Sequence, residues 1–392
     1  MVDRNYERKE EEQNSKPGTS RVSRRATLEL AGGAISLGAV RTVSGRTTGE
    51  TRTIVTHRAR EKPAKKKEVP IKWYDHIQAA KKAKSNLINR FQNNSAVIAG
   101  GLTASNNYYD GKRGFAISIE VEEDASVRDR IPESVDGIPV IIRSPIDAVE
   151  SDGCDELNAC VNEDVYNPTP GGVTFDGATA GSSFYVDDNG DGSYDTSLML
   201  SCGHCVGDGD PCDGFNSSTT VSQHCEDWGS LYKGDGKRGV VLLEPNTNHD
   251  VTDKIQAADG TEHPIAGYMT ESGIADKCST GDLVQKTGIM TSDQHGQIKR
   301  YDFGNLTDCR KWYGEGVEVA VGATAGDSGG PMYDVQDGDA YMVAVLSVNG
   351  AVGDIYDYDC NGNPAYGECY GTAAYEVRRH FDGYYRSDVP YF

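Results

Sequence analysis

From residue 171 to residue 373 the chain reads as short apolar runs broken by polar, glycine-containing turns, and this texture limits the possible folds more than any other feature. Phe184-Tyr185-Val186, Leu198-Met199-Leu200, Val240-Val241-Leu242-Leu243, Leu283-Val284-Gln285 and residues 317–321 and 342–348 are strand-length. No helical period interrupts them, so a parallel sheet with helical crossovers is excluded, and an all-β, antiparallel architecture of barrels is expected. Only Ala374-Tyr375-Glu376-Val377-Arg378-Arg379-His380-Phe381, near the C-terminus, reads as a helix.

The chain before residue 171 has a different character. Ser23-Arg24-Arg25-Ala26-Thr27-Leu28 followed by a weakly apolar run resembles a twin-arginine export signal over residues 1–45. The apolar run, residues 26–40, is too short to span a membrane, which leaves an exported protein with no integral membrane segment, handled by the twin-arginine machinery. Residues 46–68 are rich in Arg, Lys and Thr and read as a disordered linker. Trp73, Ile77, Ala80, Leu87, Ile88 and Phe91 then recur at helical spacing, and strands are expected over residues 115–121 and 138–142, giving a small α/β domain over residues 69–147. The basic segment before residue 148, this domain included, is a candidate pro-region. Residues 148–170 read as a linker, pinched by Cys154 and Cys160.

Charge divides the chain in the same place. Residues 1–100 hold 21 Lys/Arg and 10 Asp/Glu, net +11, while residues 101–392 hold 18 and 50, net −32. An acidic body repels phosphate, so nucleic acid is excluded as a partner. Acidity of this density resembles the surfaces of proteins from salt-loving archaea, where a Debye length of about 3 Å in molar salt removes the self-repulsion. The 10 cysteines all lie from Cys154 onward, an even number that points to disulfides and an oxidising compartment.

Within the β-rich part, Ala325-Gly326-Asp327-Ser328-Gly329-Gly330-Pro331 displays a serine on a glycine turn. The N–H groups of Gly326 and Ser328 are placed to meet a developing oxyanion. A hydroxyl needs a base, and the base needs a third group to fix its tautomer. Leu198-Met199-Leu200-Ser201-Cys202-Gly203-His204-Cys205-Val206 supplies a histidine just past an apolar strand. His204 before the Gly-Asp-Ser-Gly-Gly-Pro run resembles the chymotrypsin-like serine proteases. Lys286-Thr287-Gly288 and Val345-Leu346-Ser347-Val348-Asn349-Gly350 extend the resemblance, which covers residues 171–392.

The resemblance implies two six-stranded antiparallel β-barrels with a C-terminal helix, behind the small α/β N-terminal domain. It implies a monomeric serine endopeptidase acting on proteins or peptides through an acyl-enzyme, with no cofactor required. His204 is then the general base and Ser328 the nucleophile. The orienting carboxylate belongs between them at the start of a short apolar strand, where Asp250 fits best and Asp235 and Asp253 are rivals. Ser347 would support that carboxylate. Gly322, Ala323, Ser347, Asn349 and Gly350 would line the specificity pocket, and Gly322 at its floor disfavours a basic substrate side chain in favour of an apolar or small one.

Three other readings remain. Asp357, Asp359, Asn361 and Glu368 match a calcium-loop pattern, although Cys360 and Cys369 could close the same loop by a disulfide; Asp187, Asn189 and Asp191 half-match. Cys202, His204, Cys205, Cys212, His224 and Cys225 offer zinc ligands, as in a catalytically silent protease relative that binds metal. Gly326-x-Ser328-x-Gly330 also matches an esterase elbow, with His380 as its downstream histidine.

Overall fold

The computed structural model describes residues 49–385 apart from 124–125, 146–147, 150–158, 176–177, 189, 191, 195, 207–214, 216–218, 224–225, 306–315 and 363. The export-signal expectation over residues 1–45 lies outside these residues, as do Cys154, Cys212, His224 and Cys225.

Strands dominate the described residues, in one sheet of 16 strands, one of 6 and one of 2. In the larger sheet, Leu283–Gly288 pairs with Ser292–Asn305, which pairs with Gly316–Val319, then Pro364–Ala373, Asp339–Tyr358 and Pro331–Gln336, which returns to Leu283–Gly288. Each of these pairings is antiparallel, and they form a closed circuit. The sheet of 6 runs Thr220–Gln223, Glu226–Asp235, Val240–Pro245, Thr196–Cys202, Ser182–Val186 and Gly383–Tyr384 as an open succession. The molecule is therefore mostly β, as the turn-rich texture requires, but not wholly antiparallel. Val251–Gln256 lies parallel to Thr169–Gly171, Glu262–Met269 to Asp339–Tyr358, and Lys112–Val121 to Ile138–Arg143.

The expected linker is a hairpin. Thr51–Ala59 pairs with Lys62–Pro70 and with Glu262–Met269, burying Ile54, Thr56 and His57. Its lysines mislead a compositional reading because Lys62–Pro70 is an edge strand, where exposed lysines prevent pairing with another chain. The expected helix is Ile71–Phe91, with Trp73, Ile77, Ala80, Leu87 and Phe91 buried.

The small α/β domain is not separate from the rest. Val97–Tyr109 pairs with Ser292–Asn305, and the buried face of the helix shares one core with Met269, Ile274, Ile298, Tyr301 and Val317. A second helix, Glu271–Thr280, interrupts the region expected to hold no helix. Thr270 accepts a hydrogen bond from the Gly273 N–H at its start, and Gly281 ends it in the left-handed conformation. The C-terminal helix is Ala374–Phe381, as expected. Cys160 is bonded to Cys360 and so does not pinch its own linker, while Cys369 is a buried free thiol. No helix among the described residues is long and apolar enough to cross a membrane.

Candidate active site

The glycine loop around Ser328 is held from behind by a buried ion pair. Asp327 and Lys286 are both fully buried, with Lys286 Nζ 2.8 Å from Asp327 Oδ2. Asp327 also accepts from the backbone N–H groups of Met290 (2.9 Å), Thr291 (3.1 Å) and Thr324 (3.2 Å), and from Thr291 Oγ1 (2.5 Å). Lys286 Nζ donates on to the carbonyl of Gly322 at 3.0 Å. A carboxylate with this many donors is fixed in place, and the residue after it inherits the fixation.

From the other side, Thr179 donates its hydroxyl to Gly326 O (2.8 Å) and its N–H to Ser328 O (2.9 Å). The N–H groups of Asp327, Gly329 and Gly330 are spent on Thr324 O, Leu346 O and Asp327 O. Those of Gly326 and Ser328 donate to no acceptor among the described residues. Gly326 and Gly329 hold φ of 95° and 88°, which only glycine adopts without strain. Ser328 Oγ is buried and has no hydrogen-bond partner among the described residues.

His204 follows the strand Thr196–Cys202, whose Leu198, Met199 and Leu200 are fully buried. Gly329 brings the serine loop against that strand end, since a Cβ there would lie 2.5 Å from Ser201 Oγ and 3.4 Å from Cys202 N. His204 Nε2 is buried, and no hydrogen bond joins it to Ser328 Oγ in this conformation. Cys202 and Cys205 are joined by a disulfide that closes a loop around Gly203 and His204.

The third member is not where the sequence suggested. Val240–Pro245 is the short apolar strand beside the histidine strand, with Val240 opposite Cys202. The residue at its head is Gly239, whose carbonyl accepts from the Gly203 N–H at 2.8 Å. A Cβ on Gly239 would lie 2.6 Å from Ser347 Oγ. Gly239 thus occupies the position that Ser347 was expected to support with a carboxylate.

Asp250 is exposed and sits at the far end of this sheet. Its carbonyl accepts from Thr169 N, and Thr169 Oγ1 accepts from Trp228 Nε1, beside the Gly229–Pro245 pair. Val240 and Pro245 are about 17 Å apart along the strand, so these contacts of Asp250 lie toward the Pro245 end and not the Cys202 end. Asp253 is buried and accepts from Tyr185 Oη, across from Ser197 instead of Cys202. Asp235 is engaged by Arg238 Nη1 (2.5 Å) and His380 Nε2 (2.8 Å). That contact also takes up the histidine of the esterase reading.

Among the expected pocket residues, Gly322 lends its carbonyl to Lys286 and Thr291, and buried Ala323 bridges Tyr366. Ser347 is buried. Asn349 and Gly350 pair with Cys369 and Glu368 on one side and with Val149 and Ala148, antiparallel, on the other. The calcium pattern is not assembled. Asp359 caps the hairpin turn by accepting from Asn361 N, whereas Glu368 lies opposite Gly350, well down the ladder from the Tyr358–Pro364 pair. Glu368 is pushed up to about 7 by burial and by the neighbouring Glu318. Cys202, His204 and Cys205 are the metal-capable group among the described residues.

Thr179 and Gly239 were missed by sequence reasoning. A lone threonine in a short strand carries no signal. Gly239 is visible in the sequence only as the residue before an apolar strand, a position where an aspartate was expected.

No family model matches the chain, and no curated protein matches it. Solved structures similar to it include Thermobifida fusca Protease A, at 18% identity and TM-score 0.38, covering 56% of this chain and 98% of that one. Cellulomonas bogoriensis chymotrypsin, at 13% and 0.38, covers 57% and 100%; Nocardiopsis protease, at 16% and 0.38, covers 56% and 98%. Likenesses this distant carry no weight for activity, which rests on the atoms of the site.

Proposed function

We propose that this chain is an exported serine endopeptidase that works with Ser328 and His204 and without an aspartate in the usual orienting position. The nucleophile loop carries the reading: a buried, unpartnered serine hydroxyl lies beside two N–H groups, Gly326 and Ser328, that are not otherwise spent. His204 takes the Ser328 proton as the oxygen attacks a peptide carbonyl. The two N–H groups hold the tetrahedral oxyanion, and His204 returns the proton to the leaving amine, giving the acyl-enzyme that water then hydrolyses. Gly322 and Ala323 at the pocket favour an apolar or small side chain.

Ser328→Ala is expected to abolish peptide cleavage in molar salt with the fold retained. Full residual activity would sink the reading. Gly239 lends specific support to a second reading, a catalytically silent relative. A serine-reactive phosphonate separates the two, because labelling at Ser328 requires a working base and oxyanion site. Gly239→Asp sharpens the test. Loss of the orienting carboxylate costs about 10⁴-fold in kcat in a well-studied triad, so its restoration should raise turnover in a variant whose unfolding midpoint shows that it tolerates a side chain at φ 64° and 2.6 Å from Ser347 Oγ; unchanged turnover in such a folded variant would argue that another group already orients His204.

The antiparallel pairing of Ala148–Val149 with Asn349–Gly350 places the chain itself on the strand expected to bind substrate backbone. Residues before 148 then act as a pro-region whose junction occupies the cleft until it is cut. A site-specific cut within residues 150–153 should raise activity on peptides, and equal activity of the uncut chain would remove this role.

A further inference from the structure

Resting on His204 as the general base, the geometry points to a reducible soft-metal site built from Cys202, His204 and Cys205, which takes up zinc when the disulfide is opened and removes the base from catalysis. One donor atom from each of these residues lies within 4.8 Å of the other two. Zinc with thiolate and imidazole ligands at about 2.0–2.3 Å needs donor atoms roughly 3.5 Å apart, so a small adjustment within one tight loop suffices. The ligand set is soft enough to prefer zinc over the magnesium and calcium abundant in saline media.

The backbone around these ligands is held independently of the disulfide. Cys202 ends a strand that pairs with Val240 and is fully buried, and the Gly203 N–H is bonded to Gly239 O. Opening the S–S bond therefore leaves the three side chains close together.

Access is one-sided. Cys205 is half-buried and Cys202 fully buried, so an incoming thiolate reaches the Cys205 sulfur. The reductant is a dithiol. Its first thiolate attacks Cys205 Sγ, forming a mixed disulfide and releasing Cys202 as thiolate. Its second thiolate attacks the reagent's own sulfur in that mixed disulfide, releasing Cys205 and leaving the dithiol oxidised to a cyclic disulfide. Two electrons pass from reagent to protein. Both cysteines bind zinc as thiolates, releasing their protons to solvent. Exchange with a cyclic disulfide, which takes back the two electrons and is reduced to its dithiol, releases zinc and restores the Cys202–Cys205 bond.

The experiment uses full-length protein in molar salt, with and without dithiothreitol, which is removed before metal is added. Cobalt(II) serves as a spectroscopic probe of thiolate ligation and zinc as the inhibitor. Reduced protein should bind one cobalt per chain with a thiolate charge-transfer band, and zinc should lower its peptidase rate at least about tenfold, reversed by a chelator. Oxidised protein should show neither effect.

Cys205→Ser should lose the band, and its rate, whatever its level, should be the same with and without zinc. A band or zinc inhibition that persists in Cys205→Ser places the metal elsewhere and overturns the proposal. Proteolysis by oxidised protein with no cobalt uptake after verified reduction also overturns it, while leaving the protease reading intact. A cobalt site without proteolysis in the oxidised form overturns the protease reading and, with it, the role of the metal as an inhibitor.

Discussion

Two cations are completely buried among the described residues, Lys286 and Arg300, and they serve different purposes. Lys286 meets a single carboxylate, Asp327, and everything else around that carboxylate comes from residues 290–291 and 324, so the cluster is local to the serine loop. Arg300 meets two carboxylates, Glu318 and Glu120, with Ser118 and Tyr370 alongside. Glu120 and Ser118 belong to the N-terminal strand Lys112–Val121, whereas Glu318 and Tyr370 belong to the closed circuit of strands. One buried charge therefore aims a loop, and the other fastens the N-terminal region to the rest of the fold. Burial of charge by itself does not reveal which of these it does.

Breaking the second cluster should have the larger effect on stability. Arg300→Met leaves the buried Glu120 without its ion-pair partner and Glu318 with only Arg143, at 3.5 Å, and should cost about 3–5 kcal/mol, measured by denaturant unfolding in molar salt. Activity per folded molecule should change little, because no member of the cluster touches the serine loop. Replacing Glu120 and Glu318 by Gln in the same chain should recover most of the loss. If it does not, Arg300 acts through packing and not through charge.

Lys286→Met leaves one carboxylate, and Asp327 keeps its four other donors, so a loss nearer the lower end, about 3 kcal/mol, is expected. Its signature is kinetic, a fall in kcat exceeding any rise in KM. A variant that is less stable yet fully active would show that Lys286 does not position Ser328.

The smallest effect is set by pH. Glu368 sits beside Glu318 at the edge of the Arg300 cluster, and its carboxyl is raised from 4.5 to about 7 by burial first and then by Glu318. The folded protein holds this proton more tightly than the unfolded chain does. Its contribution is therefore fully present below about 4.5 and is lost as pH rises to about 7. Glu368→Gln should match the parent near pH 5 and gain on it towards pH 8 in thermal unfolding. A difference that does not change with pH would mean Glu368 titrates normally.

Much of this was legible in the sequence. Leu198, Met199 and Leu200 announced the strand that carries His204, and the glycines around Ser328 announced its loop, because apolar runs and glycine turns are local signals. The helix over Ile71–Phe91 was equally plain from its period. The Thr51–Ala59 hairpin was hidden because edge lysines and disorder share a composition. The helix Glu271–Thr280 was hidden because it is short and carries Gly273, and its stability comes from packing Ile274 and Cys278 into a core shared with distant strands. Asp250 misled because an aspartate before a β-branched residue looks the same on any strand. Only the pairing of Val240 with Cys202 shows which strand lies beside His204.

Both disulfides seen among the described residues lie on the C-terminal side of residue 159, and no cysteine precedes Cys154. A cut within residues 150–153 would therefore have no covalent bond across it, yet the two pieces would still share one core and one sheet. The product would be a nicked two-fragment protein, running as one species under native conditions and as two bands on an unreduced denaturing gel. Its N-terminal fragment would behave as a tightly bound subunit that shares the fate of the larger fragment.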